Sequence, residues 1–245
     1  MTSIRFLGSG DAFGSGGRLQ SCIYVDAGSE RFLIDCGASS LSAMRRWNVD
    51  PGEIDTILLT HLHGDHFGGL PFFLLDAELV TKRIRPLVIA GPPGMAEQIR
   101  QAQEVFFPGS STVQLKFPVS YIEWVQGLPL QNGGLAITPY EVVHASGAPA
   151  YALRISCTDK VIACSGDSEW TDALIDAARG VDLFICEAYT FDKKVKYHLD
   201  YQTLMAKRAA LGCRRLVLTH MNAAMLERLS DVELETACDG YQIIL

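Results

Sequence analysis

The stretch Thr60, His61, Leu62, His63, Gly64, Asp65, His66 follows an apolar run at residues 57–59. It gathers three of the chain's six histidines, with an aspartate, into a handful of positions. A chain that sets so many metal-avid side chains at one strand end must fold so that they converge, because unpaired buried charge is costly. Residues 57–59 read as a buried strand, so His61 and His63, two apart at its end, point the same way. They can grip one cation. Gly64 then permits a tight turn, and Asp65 and His66 swing toward a neighbouring position as a helix begins near Phe67. They can grip a second. Imidazole with carboxylate suits zinc and tolerates iron or manganese, and no close cysteine pair marks a thiolate-rich structural site. The expected cofactors are two divalent metal ions, zinc by preference, with open coordination positions.

The remaining histidines extend the pattern. His144 ends the apolar run 140–143 and His220 ends the run 216–219, so both stand at tips of predicted strands, where rigid elements hold ligands best. Residues 57–61 and 216–220 each read three aliphatics, Thr, His, as a duplicated half-domain would. A fainter echo joins residues 32–37 to residues 161–167, each an apolar strand running into Gly and Asp. Two halves facing each other across one site are expected.

These residues carry a resemblance to the metallo-β-lactamase-fold hydrolases, and among them most to the ribonuclease Z type of phosphodiesterase. The likeness runs nearly end to end, from Phe6, Leu7, Gly8, Ser9 and Gly10 through residues 32–37, the block 61–66, His144, Ser165-Gly166-Asp167 and Leu218-Thr219-His220. The resemblance implies an α/β fold: a four-layer αββα sandwich of two mixed β-sheets with helices on the outer faces. It implies that His61, His63 and His144 bind one metal, that Asp65, His66 and His220 bind the other, and that Asp167 bridges them. Asp65 counts as both a ligand and a catalytic residue. Asp35 resembles the family's buried aspartate behind the ligands, where a carboxylate orients an imidazole through its second nitrogen. Ribonuclease Z-like enzymes also carry a glutamate after a late strand and a histidine shortly beyond it, a pair taken to protonate the leaving oxygen. Glu187, after residues 182–186, and His198 hold those places. The family's usual His-Glu-Ala reads Cys186-Glu187-Ala188 here. The plain alternatives are a solvated loop histidine beside Lys193, Lys194 and Lys196, and a structural ion-pair partner for Glu187.

The chain also departs from that type. Longer members insert an arm rich in Gly, Pro and Lys between the third histidine and the bridging aspartate, and hold transfer RNA with it. Here residues 151–155 and a turn at 158–160 lead straight from His144 to Asp167. Nucleic-acid binding relies on cationic surface, whereas this chain has 21 Lys and Arg against 28 Asp and Glu, a formal charge of −7. Lys82, Arg83 and Arg85, Arg45 and Arg46, and residues 193–196 read as solvated faces. Extended RNA contact is disfavoured. The expected partner is a small anionic substrate: a phosphodiester of nucleotide type, such as a cyclic nucleotide or nucleotide fragment. Two divalent cations, less Asp65, Asp167 and one bridging hydroxide, leave about one positive charge to attract it, and that hydroxide is the expected nucleophile. The alternatives are a lactone or thioester hydrolase on the same dinuclear site, and a ribonuclease Z-like endonuclease acting at RNA 3′ ends.

With 245 residues and 48% hydrophobic content, one domain spanning residues 1–245 is the economical organisation. Seven scattered cysteines, mostly within apolar runs, read as buried free thiols of a reducing compartment. The N-terminus lacks a leader pattern and no apolar stretch reaches membrane-spanning length, so a cytoplasmic protein without membrane contact is expected. Strands are predicted near residues 3–8, 21–26, 31–35, 56–59, 86–90, 135–143, 149–156, 161–164, 182–186, 215–219 and 241–244. Helices are predicted near 38–47, 66–79, 94–106, 171–178 and 200–211. Residues 14–17 read as a loop over the site and lack the ending of a phosphate-binding P-loop. Leu70, Phe72, Phe73, Leu74 and Leu75 crowd the helix after His66, through core packing or through the contact of a homodimer, which relatives often form.

Overall fold

Most central strands are apolar on both faces, and that property builds the layers. The computed structural model describes residues 1–245. Its strands are β1 (Ser3–Gly8), β2 (Cys22–Asp26), β3 (Arg31–Ile34), β4 (Thr56–Leu58), β5 (Leu87–Gly91), β6 (Val119–Glu123) and β7 (Leu130–Asn132). They continue as β8 (Leu135–Val142), β9 (Ala150–Cys157), β10 (Lys160–Cys164), β11 (Leu183–Glu187), β12 (Leu216–Thr219), β13 (Glu235–Thr236) and β14 (Gln242–Ile244). The helices are α1 (Ser40–Arg46), α2 (Gly64–Phe67), α3 (Leu70–Leu79), α4 (Met95–Phe106), α5 (Ala173–Ala178), α6 (Tyr201–Leu211) and α7 (Ala223–Leu226).

Two seven-stranded sheets result, ordered β14-β1-β2-β3-β4-β5-β6 and β13-β12-β11-β10-β9-β8-β7. Alternate residues go to opposite layers. In β3, Phe32 and Ile34 join the core shared by the sheets while Leu33 packs under the outer helices; in β11, Leu183 and Ile185 face inward while Phe184 and Cys186 face α5 and α6. Each such side chain contributes about 1.5–3 kcal/mol on burial. This is the expected αββα sandwich. No helix is long and apolar enough to cross a membrane.

The sheets share one plan. From β14 to β6, and again from β7 to β13, three antiparallel pairings precede three parallel ones. In that register β3 corresponds to β10, so the echo between residues 32–37 and 161–167 falls on matching strands. The Thr-His echo does not. β4 corresponds to β11, whose end carries Glu187, while His220 follows β12, the counterpart of β5. The repeated Thr-His ending is therefore no trace of duplication.

Other expectations need correction. The helix predicted over 66–79 is two, α2 and α3, broken where Gly68 and Gly69 lie against neighbouring backbone. The first helix starts at Gly64, so Asp65 and His66 are helical rather than in a turn, and Gly64 has no left-handed backbone. Leu70, Phe73 and Leu74 are core residues, whereas Phe72 is exposed and packs edge-on against Phe107. Arg83 is buried, its guanidinium donating to the carbonyls of Gly52, Ile54, Arg85 and Pro86, so it is no solvated face. All seven cysteines are free, and Cys22, Cys36, Cys157, Cys164 and Cys186 are buried.

Gly37 joins the first sheet to the site. A Cβ there would stand 2.2 Å from the Asp65 carbonyl oxygen and 2.8 Å from the Gln20 Cβ. Gly37→Ala is expected to force α2 away from β3 and to destabilise the protein by about 1–3 kcal/mol, the usual cost of overpacking. Thermal unfolding measures this; an unchanged midpoint would mean that the contact has slack.

Candidate metal centre

One segment, from the end of β4 into α2, delivers the early candidate ligands. The end of β4 is fixed by the buried Trp124, whose Nε1 donates to the Leu59 carbonyl at 2.9 Å. Beyond it, the Thr60 N–H donates to Asp35 Oδ1 at 2.8 Å and the Thr60 hydroxyl to Oδ2 at 2.9 Å. Asp35 itself, just past β3, has φ 61°, a left-handed conformation that aspartate tolerates better than most residues. Its Oδ2 lies 2.7 Å from His66 Nδ1. The carboxylate thus locks the ring so that Nε2 faces the site. His61 Nδ1 is held in turn by the Thr60 hydroxyl at 3.1 Å.

The second half closes over them. The His144 Nδ1 lies 2.8 Å from the Tyr197 carbonyl, leaving Nε2 3.0 Å from His63 Nδ1. The His220 N–H donates to the Ser9 carbonyl at 3.1 Å, and its Nδ1 lies 3.3 Å from Ser21 Oγ. Asp167 follows Gly166, whose φ is 58° and whose Cβ, if present, would stand 2.9 Å from the Thr60 Cβ. Only glycine fits that approach.

The candidate ligands fall into the two groups anticipated. Donor atoms of His61, His63 and His144 lie within 4.8 Å of one another, as do those of Asp65, His66, Asp167 and His220. Asp167 links the groups: its carboxylate is 3.4 Å from His66 Nε2 and 3.2 Å from His220 Nε2, but also 3.8 Å from His61 Nε2 and 4.0 Å from His144 Nε2. His61 Nε2 and His66 Nε2 are buried with no hydrogen-bond partner. A buried nitrogen left so costs about 1–3 kcal/mol, which a divalent cation held by each donor group would relieve. The donor set, imidazole and carboxylate without thiolate, fits such an ion.

Electrostatics follow the same geometry. Burial, helped by the neighbouring His66, pushes His61 well below the ordinary imidazole range. Burial opposes charge on His66 too, but Asp167, Asp35 and Asp65 outweigh it and hold that ring well above the range. His220 behaves likewise: burial is overcome by Asp167, and its pKa rises to about 9. Burial likewise disfavours ionised Asp167, yet His220 and His66 hold it well below the usual carboxylate range.

Glu187 and His198 meet beside this centre. His198 Nδ1 lies 3.0 Å from Glu187 Oε2 and 3.9 Å from Asp167 Oδ2. Glu187 is buried; its other oxygen accepts from the Ser168 N–H, and its own N–H donates to Ser165 Oγ at 2.9 Å. The Tyr189 ring stacks on His198 at 4.3 Å between centroids. The solvated-loop alternative for His198 therefore fails. His198 also falls within a donor group with His144 and Asp167, but its Nδ1 is committed to Glu187, which favours proton handling over ligation.

Several positioning residues escaped the sequence reading: Thr60, Ser21, Trp124, Ser165, Tyr189 and Asp239. Asp239 accepts from the Ser9 N–H and hydroxyl and from the Leu19 N–H, and so steadies the loop carrying the His220 contact. Thr60 stood inside the repeated motif and was readable as more than spacing. Asp239 has no local signal at all.

Comparison with known proteins identifies relatives of the whole chain. The family described as Anti-Pycsar protein Apyc1 matches residues 2–235. A ribonuclease Z of Mycobacterium bovis is 27% identical over 240 residues, covering 90% of this chain and 86% of that protein. Among solved structures, the short form of human tRNase Z superposes with a TM-score of 0.81 at 24% identity, covering 99% of this chain and 98% of that one. The metallo-β-lactamase fold protein YhfI from Bacillus subtilis gives 0.79 at 22% identity, covering 99% and 98%. The architecture is the metallo-β-lactamase fold.

Asp35→Asn keeps a side chain that tolerates the left-handed backbone but removes the charge behind His66. Metal affinity is expected to fall about 10–100-fold, measured by competition with a chromophoric chelator. Equal affinities would show that Asp35 serves only to hold Thr60.

Proposed function

The chain belongs to the Anti-Pycsar protein Apyc1 family, and from that membership and its site we propose a dinuclear metal-dependent hydrolase that cleaves small phosphodiesters of nucleotide type. One observation carries the reading: a histidine held by a buried glutamate stands beside Asp167, the carboxylate that comes within 4.0 Å of imidazoles from both donor groups. Thioester hydrolysis, which releases a thiolate, makes far less use of an acid at that point.

His61, His63 and His144 would hold one ion, Asp65, His66 and His220 the other, and Asp167 both; zinc suits these donors best. Bound metals of this kind supply Lewis acidity and acidify water toward neutrality. The rest of the work falls to the chain. Asp35, Thr60 and the Tyr197 carbonyl keep the imidazoles from turning, so their free nitrogens stay aimed at one place. His198 lines the same cavity as His63, Asp65, Asp167 and His220. With Nδ1 tied to Glu187, its Nε2 is the atom that can deliver a proton to the departing alkoxide. Burial opposes charge on His198, but the Glu187 carboxylate outweighs it and raises the pKa, as suits a general acid near neutral pH.

The names ribonuclease Z and tRNase Z raise RNA as a substrate here too. Two features count against a long one: β9 passes to β10 through a tight turn with no inserted arm, and the chain's formal charge is −7.

Assays on bis-p-nitrophenyl phosphate, a cyclic nucleotide, an acyl lactone and a thioester test the proposal, and activity on the carbon esters alone would end it. His198→Ala is expected to retain its metals by elemental analysis. Its rate on alkyl leaving groups should drop by ~10²–10⁴, with far smaller loss on p-nitrophenyl esters; equal losses would remove the acid assignment. Because Glu187 raises the His198 pKa, the protonated acid persists to higher pH with Glu187 than without it. In Glu187→Gln the alkaline limb of kcat/KM on alkyl esters should therefore move to lower pH, and a limb that stays put would separate the pair.

A further inference from the structure

Asp167, Ser168 and Glu169 are consecutive, and each reaches a different part of the site. Asp167 faces imidazoles of both donor groups. The Ser168 N–H donates to Glu187 Oε1, the oxygen that His198 does not use. The Glu169 carboxylate accepts from the Tyr197 N–H at 2.7 Å, 28 positions further along the chain. Asp167 and Glu187 have parts in the chemistry above; Glu169 has none.

Tyr197 is where this contact acts. Its φ is 71°, a left-handed conformation that a bulky residue adopts only where its surroundings impose it. Both polar groups of its backbone are held from outside its own segment, the N–H by Glu169 and the carbonyl by His144 Nδ1 at 2.8 Å. The next residue is His198. Residues 191–199 contain no helix or strand, and their one internal backbone bond runs from the His198 N–H to the Val195 carbonyl at 3.1 Å. The direction of the His198 side chain therefore depends on the torsions of Tyr197.

Glu169 is itself well placed to set those torsions. Its N–H donates to the Val143 carbonyl at 3.1 Å, and Ser168 Oγ accepts from the Val143 N–H at 3.1 Å. Val143 precedes His144, so one short segment registers His144 through its backbone and His198 through Tyr197. The His144 and His198 rings meet edge-on, 5.1 Å apart.

We propose that Glu169 is a positioning residue for the acid: by holding Tyr197 in its left-handed turn it aims His198 and, through the Tyr197 carbonyl, keeps that aim in register with His144. The inference rests on the acid role given to His198 and adds the residue that sets its direction. Misplacing a reacting group by about 1 Å costs on the order of 10²-fold in rate, so a carboxylate outside the donor groups is felt in turnover.

The test compares Glu169→Ala and Glu169→Gln with the wild type at saturating zinc, on a cyclic nucleotide, whose leaving group is an alkoxide, and on bis-p-nitrophenyl phosphate. Asp172→Ala, which removes an exposed carboxylate three positions away that caps nothing, is the control. Glu169→Ala is expected to lower kcat on the cyclic nucleotide by about 10–100-fold, with KM little changed and far less effect on bis-p-nitrophenyl phosphate. Glu169→Gln, whose amide oxygen still accepts from Tyr197, should recover most of the loss, and Asp172→Ala should match the wild type. In a His198→Ala background Glu169→Ala should add no further loss, because residues that act as a unit are not additive. Trypsin gives a readout apart from activity: Lys193, Lys194 and Lys196 stand on this segment, and the metal-loaded protein should be cut there faster in Glu169→Ala than in Glu169→Gln or the wild type. Full activity of Glu169→Ala on the cyclic nucleotide, equal losses on both substrates, or a loss that persists in the His198→Ala background would overturn the positioning role and leave the acid in place. Inactivity of the wild type on both substrates, or equal losses in His198→Ala itself, would remove the acid reading and the inference with it.

Discussion

The buried carboxylate of Asp167 faces imidazoles from both halves of the chain, and the rest of the centre is arranged around it. His61 and His66 approach from the first half, His144, His198 and His220 from the second, all within 4.0 Å of its oxygens. A buried anion is tolerated only when neighbouring groups compensate it fully. The two sheets must therefore dock in one relative position to bring those rings together. The apolar layer between the sheets drives the docking without direction; the carboxylate and its ring of nitrogens make it specific.

Local conformation shows where that specificity has a cost. The non-glycine residues with positive φ are Asp35, Asn48, Lys82, Thr158, Tyr197 and His220. Asp35, Tyr197 and His220 belong to the metal centre: one orients His66, one offers its carbonyl to His144, one is a candidate ligand. Such conformations cost roughly 1–3 kcal/mol each when the side chain does not suit them, and they persist where the surroundings over-determine them. Asp35 and His220 lie directly beyond β3 and β12, strands of the apolar layers whose packing can offset that cost.

Much of this was legible beforehand because it was local. Runs of aliphatic residues marked the central strands, and the density of histidines at residues 61–66 marked the candidate donor cluster. What escaped had no local signature. β6 alternates poorly and is largely exposed, while β7 and β13 are only a few residues long at sheet edges. The division of the helix after Gly64 depends on the close approach of Gly69 to the Cys36 and Gly37 carbonyls, a tertiary contact. The Thr-His echo misled for the converse reason: similar strings on non-equivalent strands look alike until the pairing order is known. Thr60, Ser165 and Asp239 matter through partners far away in the chain, and no window of sequence contains both members.

The clasp made by Asp239 bears on the order of assembly. It secures Ser9 and Leu19, more than 200 positions earlier, and β14 then pairs with β1 to finish the first sheet. During synthesis the histidines at positions 61, 63 and 66 emerge long before either element exists. Until the segments bearing Asp167 and His220 follow, they form half a chelator. Tight retention of an ion would thus require both halves of the fold to have come together.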